Sequence, residues 1–446
     1  MTDYYCDLDA DFVAGRDGTD STTKVLTGFG GLQIAIRGGG GAAGEFKTGG
    51  LVAGDTIYLR GTETGRLARL VKIVIGINGI TPNAWEIGDT VVDNNGGSEW
   101  TGKVVQERDL VATGLSSDQQ VLVQLDDPFD YADVNTFYTY GINNTTKSEI
   151  GTILTAGDVT CVGIELDTNA GDRTTGHINV IGCDTDWTPR GNQAIFDGGG
   201  DATNCMLFKG KERWNFGYIT FQNAFDDGVT TDGQACDWPI FRHCKFVSNG
   251  ALGIDMNGDM VALKLIRCVM ASNDGAGANL NKTPGTAAFC KFRDNAGRGV
   301  DYATWWTFFA CLFYENEADN LEIRSRNNII NCVFDGALNG SDGITQAGDT
   351  DSGNIILASR ITNNTGYGFS MFSAVDDSNI EDWNVFYGNT SGDLENSLSG
   401  KHSYGDGAEH ISDPSDDGYV DSSNSDFNVA TGKELRSVAI DLDWDL

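Results

Sequence analysis

The sequence predicts an all-β solenoid, a stack of coils built from short strands. Five cysteines recur every 21 to 24 residues, at Cys244, Cys268, Cys290, Cys311 and Cys332. Phenylalanine stands two residues after four of these cysteines, and asparagine stands five residues after four of them. A fixed period in the low twenties without helical periodicity is the signature of a solenoid.

The repeated positions have distinct predicted roles in each coil. Side chains two residues apart in a strand share a face, so the cysteines and phenylalanines are expected to form two inward columns of reduced thiols and rings. The asparagines fit the turn that follows, because Asn tolerates a left-handed backbone and its amide can bond to the asparagine above and below. In the coil of Cys332 this position is Ala337, which predicts an altered turn.

A second strand follows each asparagine turn. Its middle residue is mostly apolar and is expected to point inward, whereas the polar third residue is expected to point outward. Stacked strands lie about 4.8 Å apart, so the outward residues would form a ladder. That ladder consists of Asp255, Asn279, Asp301, Glu322, Thr345 and Ser370.

Composition excludes several classes of partner. The 446 residues carry 64 acidic and 30 basic side chains, a formal charge of −34, which argues against binding to a phosphate backbone. No segment is long and apolar enough to predict a membrane span, and residues 1–5 lack the basic and apolar regions of a secretory signal. With four histidines and no Cys-x-x-Cys pair, a structural zinc site is not expected.

Two stretches resemble a known family. Residues 54–59 are similar to the first coil, and segments of 413–441 to the closing motif, of the right-handed parallel β-helix family of pectate lyases, polygalacturonases and phage tailspikes. Val438 stands where that motif usually has proline. The resemblance covers residues 1–70 and 150–446 and implies a right-handed parallel β-helix. It specifies a fold and no reaction.

The chain is expected to divide into four parts. Residues 1–70 would form an N-terminal cap and first coils, with 32–36 as a capping helix or strand, and 148–397 the parallel β-helix. Residues 398–446 would form a closing cap. Short alternating strands over 71–147 predict a small β-barrel or sandwich insertion. The insertion is similar to small β modules of phage virion proteins, with Gly-Asp-Thr-Val at 88–91 followed by Thr-Gly-Lys-Val at 101–104.

These resemblances favour a virion structural or adhesion protein: a capsid decoration, a turret component or a tail spike. Its expected location is the virion or the extracellular space, and its expected partners are other virion proteins, a host surface polysaccharide and further copies of the chain, with a trimer favoured. The alternative is a polysaccharide-degrading enzyme, a lyase or glycoside hydrolase. A non-viral surface adhesin is a third possibility, which the missing export signal disfavours.

An enzyme of this family would need carboxylates on one face. The resemblance implies Ca²⁺ with an Arg or Lys base in lyases, and paired carboxylates in glycosidases. Asp301 and Glu322 lie on successive coils, which predicts carboxyl groups about 5 Å apart, whereas Asp255 and Asp301 would be about 9–10 Å apart. Aromatic side chains beside them are candidates for stacking on sugar rings. They are Tyr302, Trp305 and Trp306. Solvated acidic side chains and turn packing explain the same residues without chemistry.

Two short acidic runs suggest calcium binding. Asp7, Asp9 and Asp11 occupy the first three ligand positions of a calcium loop, but Phe12 stands where an EF-hand has glycine. Asp349 and Asp351 form a similar pair. No cofactor is expected to be required, and Ca²⁺ is the one ion that the sequence suggests.

Overall fold

The computed structural model divides the chain into two compact units, residues 1–229 and 230–446. The structure describes residues 2–14, 16–37, 50–62, 67–76, 85–93, 100–109, 118–127, 141–151, 159–161, 163–166, 176–190, 194–210, 212–231, 233, 235–258, 262–281, 284–348, 351–371, 379–382, 384–395, 411–412, 419–421 and 426–429.

The second unit is a parallel β-helix whose coils each supply one strand to three sheets. Sheet 1 contains Ile240–Arg242, Leu263–Ile266, Gly285–Ala288, Trp306–Phe309, Asn328–Ile330, Ile355–Leu357 and Ile380–Asp382. Sheet 2 contains Lys245–Val247, Val269–Ala271, Lys291–Arg293, Leu312–Tyr314, Val333–Asp335, Arg360–Thr362, Val385–Tyr387 and Ile411–Ser412. Sheet 3 contains Ile254–Asp255, Ala278–Asn279, Val300–Ala303, Leu321–Ile323, Ile344–Gln346, Tyr367–Met371 and Gly392–Glu395. Tyr419–Asp421 and Asp426–Val429 form an antiparallel pair.

The first unit combines parallel coils with an antiparallel sheet. Its parallel strands are Asp3–Asp7, Leu26–Thr27, Thr56–Arg60, Ile164–Leu166, Ile178–Gly182, Ala194–Asp197, Met206–Phe208, Trp214–Gly217 and Ile219–Gln222, with Val229–Thr230 at the unit boundary. The antiparallel sheet contains Leu70–Gly76, Thr90–Asp93, Thr101–Asp109, Asp118–Leu125, Ile142–Asn144, Glu149–Gly151 and Val159–Cys161. The predicted insertion is therefore a separate antiparallel sheet. The predicted capping element is the helix Gly28–Arg37, preceding the 3₁₀ turn Leu67–Arg69.

The cysteine column lies inside the tube, as the sequence predicts. All ten cysteines are free and buried. The repeated cysteines stand immediately before the sheet 2 strands, and their thiols donate to backbone carbonyls; Cys268, for example, donates to Phe241 O at 3.4 Å. The phenylalanine column is also confirmed: Phe292 stacks on Phe313 at 4.6 Å between ring centroids, and Phe313 on Phe334 at 4.7 Å.

The asparagine column forms a buried ladder of amide hydrogen bonds. Asn249 donates to Asn273, Asn273 to Asn295 and Asn295 to Asn316, each from Nδ2 to Oδ1 at 2.9 Å. The prediction that these asparagines adopt the left-handed backbone is wrong. The positive φ belongs to the residue before each of them, such as Ser272 at 57°, so the side chain of the ladder residue turns inward and bonds along the stack.

The coil of Cys332 replaces its ladder asparagine by a detour. Ala337 has no side-chain amide. The side chain of Asn320 takes its place: it accepts from Asn316 Nδ2 at 2.7 Å and donates to Asn364 Oδ1 at 3.2 Å. Other coils have glycine where Asn320 stands. A Cβ at Gly299 would lie 3.0 Å from the ladder amide nitrogen of Asn316, so a side chain and a ladder asparagine compete for one space. Ala337 leaves that space to Asn320.

No helix among the described residues is long and apolar enough to cross a membrane.

Candidate functional site

A β-bulge in sheet 3 creates the most distinctive surface of the second unit. Val300 pairs with Leu321 and Ala303 pairs with Ile323, so the two residues Asp301 and Tyr302 stand opposite the single residue Glu322. Bulges re-aim side chains and recur beside functional sites. Here the extra residue is Tyr302, whose φ of 55° lies in the left-handed region.

Three carboxylates converge on Arg298, which lies two residues before the strand. Arg298 Nη1 is 3.1 Å from Asp301 Oδ1 and 2.8 Å from Glu322 Oε2, and Nε is 3.1 Å from Asp319 Oδ2. We call these four residues the Arg298 cluster. Burial alone would lower the pKa of Arg298, but the carboxylates, Glu322 foremost, raise it. Because Asp301 and Glu322 contact the same nitrogen, the predicted proximity of their carboxyl groups is present, with a guanidinium bound between them.

The cluster continues into a column of aspartates that bind backbone. Asp319 Oδ1 accepts from the Asp342 N–H at 2.9 Å, and Asp342 Oδ1 accepts from the Tyr367 N–H at 2.6 Å. Burial raises the pKa of Asp342, and the negative charge of Asp319 adds to that effect. These aspartates therefore tie successive coils together as well as holding charge at the surface.

Glu322 is the titratable group that stands out. Its side chain is only 5% exposed. Burial raises its pKa to about 7; Arg298 opposes this rise, and the negative charge of Asp301 reinforces it. A carboxyl group that exchanges its proton near neutrality can act as a general acid or as a hydrogen-bond donor to a ligand.

Glu322 is expected to make stability fall as pH rises. Its pKa is about 7 when folded and lies near 4.5 otherwise, so the folded state holds the extra proton between these values. The native protein should lose up to about 3 kcal/mol relative to Glu322→Gln as pH rises from 5 to 8.5. Urea unfolding at both pH values measures this. The exposed Glu317→Gln is the control. Equal pH dependence of the native protein and Glu322→Gln would contradict the assignment.

Two arginines lie over two aromatic rings beside the cluster. Arg324 lies 4.9 Å from the ring centroid of Tyr302, and Arg326 lies 5.4 Å from that of Trp305. Trp305 is 53% exposed, which is unusual for so large an apolar side chain. We call these four residues the Arg–aromatic ridge. An indole that is this exposed can stack on a sugar ring, which presents an apolar C–H face.

Trp306 does not belong to this surface, contrary to the prediction of a tryptophan pair. It is fully buried and stacks on Phe308 with centroids 5.6 Å apart. The reason is strand alternation: Trp306 and Phe308 both point inward from one sheet 1 strand. Gly285 in the preceding coil makes room, since a Cβ there would lie 2.6 Å from the indole.

Asp255 lies outside the Arg298 cluster. Asp255 pairs with Asn279 in the next coil, and Asn279 pairs with Asp301 in the coil after that. One coil therefore separates Asp255 from Asp301. Its Oδ1 accepts from Asn279 Nδ2 at 2.9 Å and its Oδ2 from Asn257 Nδ2 at 2.8 Å. Two members of the predicted outward ladder are covered by neighbouring side chains: Asp255 is 8% exposed and Glu322 is 4% exposed.

Among the described residues, the aspartates suggested as calcium ligands make ion pairs and hydrogen bonds within the protein. Asp7 pairs with Arg60 at 2.8 Å and accepts from the Asp9 N–H at 3.1 Å, and Asp11 lies 3.9 Å from Arg69. Asp351 accepts from Ser325 Oγ at 3.3 Å. Asp349 lies outside the described residues. Within the described part of the chain, no three His, Cys, Asp or Glu side chains converge as a metal site, and calcium binding stays a prediction.

Sequence reasoning missed the arginines of this surface. Arg298, Asp319 and Asp342 occupy equivalent positions in successive coils, two residues before the inward apolar residue of sheet 3. Aligning the coils at that row would have shown a basic residue followed by two acidic ones. Arg324 and Arg326 had no such signal, because their contacts depend on the bulge.

The solved structures that are similar to this chain include two enzymes and a phage tailspike. The pectate lyase Pel9A matches 98% of this chain and 90% of its own, with a TM-score of 0.46 and 11% identity. A glycoside hydrolase matches 89% of this chain and 96% of its own, with a TM-score of 0.35 and 9% identity. Tailspike protein 3 of Bacteriophage CBA120 matches 55% of this chain and 54% of its own, with a TM-score of 0.29 and 11% identity.

The strand order itself defines the parallel β-helix. The solved structures similar to this chain include a pectate lyase, an epimerase module and a tailspike. At such low identity the likeness concerns the fold and transfers no activity. No protein-family model and no curated protein matches the sequence.

Proposed function

We propose that this protein is a virion structural or adhesion protein that binds a host surface polysaccharide on the Arg–aromatic ridge. The observation that carries the proposal is the 53% exposure of Trp305. It lies between a sheet 3 strand and a sheet 1 strand, beside Tyr302 and the two arginines that lie over these rings. Assembly into a homo-oligomer, with a trimer favoured, is part of the same proposal.

The Arg298 cluster supports binding rather than cleavage. Asp301 and Asp319 are both held by Arg298, and Asp319 also accepts a backbone N–H. A carboxylate that is fixed by a cation is less available as a nucleophile or base. The cluster therefore serves as a rigid foundation beneath the ridge, which keeps Tyr302 and Trp305 in place for a ligand.

Trp305→Ala is expected to weaken polysaccharide binding at least tenfold. The variant removes the most exposed ring of the ridge, and truncating an aromatic side chain at the centre of a binding site costs about 2 kcal/mol or more, a factor above ten. The measurement is retention on an array of bacterial capsule and O-antigen polysaccharides, followed by titration of each polymer that binds.

Phe225→Ala is the matched control, because Phe225 is 70% exposed and lies in the other unit. It should bind like the native protein. Equal binding by Trp305→Ala, or no binding by the native protein to any polymer, would contradict the proposed function.

The second candidate is a polysaccharide-degrading enzyme, and Glu322 favours it. A buried carboxyl group with a pKa near 7 beside a second carboxylate is what a general acid requires. The same polymers, incubated with the protein, should then release new reducing ends or unsaturated uronate. Release that Glu322→Gln abolishes would establish the enzyme, and intact polymer bound at the ridge would establish the adhesin.

A further inference from the structure

We infer that the Arg–aromatic ridge selects an acidic glycan, whose carboxylate or sulfate groups bind Arg324 and Arg326. The inference rests on the proposed function and names the chemistry of its ligand. It begins from a contrast in charge. The whole chain carries a formal charge of −34, yet this ridge presents two guanidinium groups that are two residues apart in sequence.

The two arginines differ from Arg298 in their partners. Arg298 is surrounded by three carboxylates, whereas Arg324 and Arg326 form no ion pair within 4.0 Å among the described residues. Arg324 acts on Glu322 through its charge alone, and that charge lowers the pKa of Glu322. The Arg324 Nε atom is buried and has no hydrogen-bond partner within that same part of the chain. The protein has 64 acidic and 30 basic side chains, so two arginines separated by one residue and without a close ion pair among the described residues are positioned for an external anion.

Stacking prepares these side chains for that role. The N–H groups of a guanidinium lie in its plane, so contact between its face and an aromatic ring leaves them free. They can then bind a planar carboxylate at two points. Arg60 shows the contrasting arrangement. It lies 4.4 Å from the Trp187 ring centroid, but Asp7 binds it at 2.8 Å. Arg60 is thus saturated within the protein, and the ridge arginines are not.

The ridge combines this charge with a surface for the sugar ring itself. Trp305 and Tyr302 offer apolar faces, and the arginines that lie over them supply the anion contacts. A neutral glycan would use the rings alone. A glycan with acidic groups would use both the rings and the arginines. Its contacts with the arginines would outweigh its repulsion by the acidic protein, which salt screens beyond about 8 Å.

The test uses five polymers: polygalacturonate, carboxyl-reduced polygalacturonate, polysialic acid, dextran sulfate and dextran. Binding is titrated near 0.15 M salt with the native protein, Arg324→Gln/Arg326→Gln and the control Arg242→Gln/Arg267→Gln. Both double variants change the net charge equally. Arg267 also lies over a ring, that of Phe289, at 5.8 Å. Circular dichroism establishes that all variants are folded.

We expect the native protein to bind at least one acidic polymer at least tenfold more tightly than dextran. Arg324→Gln/Arg326→Gln should lose that preference, and the control should keep it. The uronate, sialate and sulfate polymers distinguish the source of the anion, and the carboxyl-reduced polymer separates charge from backbone shape.

Equal binding of acidic and neutral polymers, or an acidic preference that the double variant retains, would overturn the inference and leave the proposed function standing. Binding of none of the polymers here, nor of the capsule and O-antigen array, would overturn both.

Discussion

Asn295→Ala is expected to lower the free energy of unfolding by about 3 kcal/mol. The variant removes the Nδ2 bonds to Asn316 Oδ1 at 2.9 Å and to Met270 O at 3.3 Å. It also leaves Asn273 without the acceptor for its Nδ2, at 2.9 Å, and for its backbone N–H, at 3.2 Å. A buried donor left unsatisfied costs about 1–3 kcal/mol, and several are affected here. Urea unfolding of the native and variant proteins measures the loss.

Asn328→Ala is the control for this prediction. Asn328 is a half-buried residue of sheet 1 whose amide makes one long hydrogen bond, of 3.5 Å, to Thr307. Its replacement should change stability by less than about 0.5 kcal/mol. Similar losses for both variants would show that the asparagine ladder contributes no more than an ordinary surface amide.

The detour at Asn320 offers a sharper test of the same ladder. Asn320→Gly should destabilise by interrupting the chain of amides, and Ala337→Asn should destabilise by crowding Asn320. The double variant restores the pattern of the other coils and should come within about 1 kcal/mol of the native protein. Additive losses in the double variant would contradict the shared-space explanation.

Arg298→Gln is expected to lower the free energy of unfolding by about 2–4 kcal/mol at pH 8. It leaves three carboxylates together without their cation, and removing one partner of a buried ion pair costs about 3–5 kcal/mol. We reduce that figure because the side chains of Asp301 and Asp319 are 22% and 14% exposed. At pH 5 the loss should be smaller, since Glu322, with its pKa near 7, is then neutral.

Arg293→Gln tests whether the loss is specific to the cluster. Arg293 lies in the same coil and pairs with Asp294 at the surface, where both side chains are more than a third exposed. Its replacement should change stability by less than about 0.5 kcal/mol at either pH. A loss at Arg298→Gln that is equally large at pH 5 would attribute the effect to packing and not to charge.

The fold was readable from the sequence because its determinants repeat. A buried thiol, a ring two residues later and an amide five residues later impose the same packing on every coil, as Cys290, Phe292 and Asn295 illustrate. Their spacing predicts the parallel stack, the inward columns and the ladder. The detour through Asn320 was predictable only as an irregularity, because Ala337 shows that an amide is missing and not what replaces it.

The site was less readable because it depends on breaks in the repeat. One extra residue at Asp301–Tyr302 changes which side chains face Glu322, and no composition or spacing marks that bulge. The same limitation applied to the tryptophans: the sequence placed Trp305 and Trp306 together, but strand alternation exposes one and buries the other. Arg298 reaches the carboxylates from outside the strand, in the row that lies two residues before the inward apolar residue of sheet 3.

Hydrogen–deuterium exchange with and without a bound polysaccharide tests the central claim most directly. A polymer retained in the screen is added to the native protein, and protection is mapped by peptide. If the Arg–aromatic ridge is the binding surface, residues 298–305 and 321–326 should gain protection, while 240–247 on sheets 1 and 2 should not change. Protection confined to other coils, or to residues 1–229, would contradict the account.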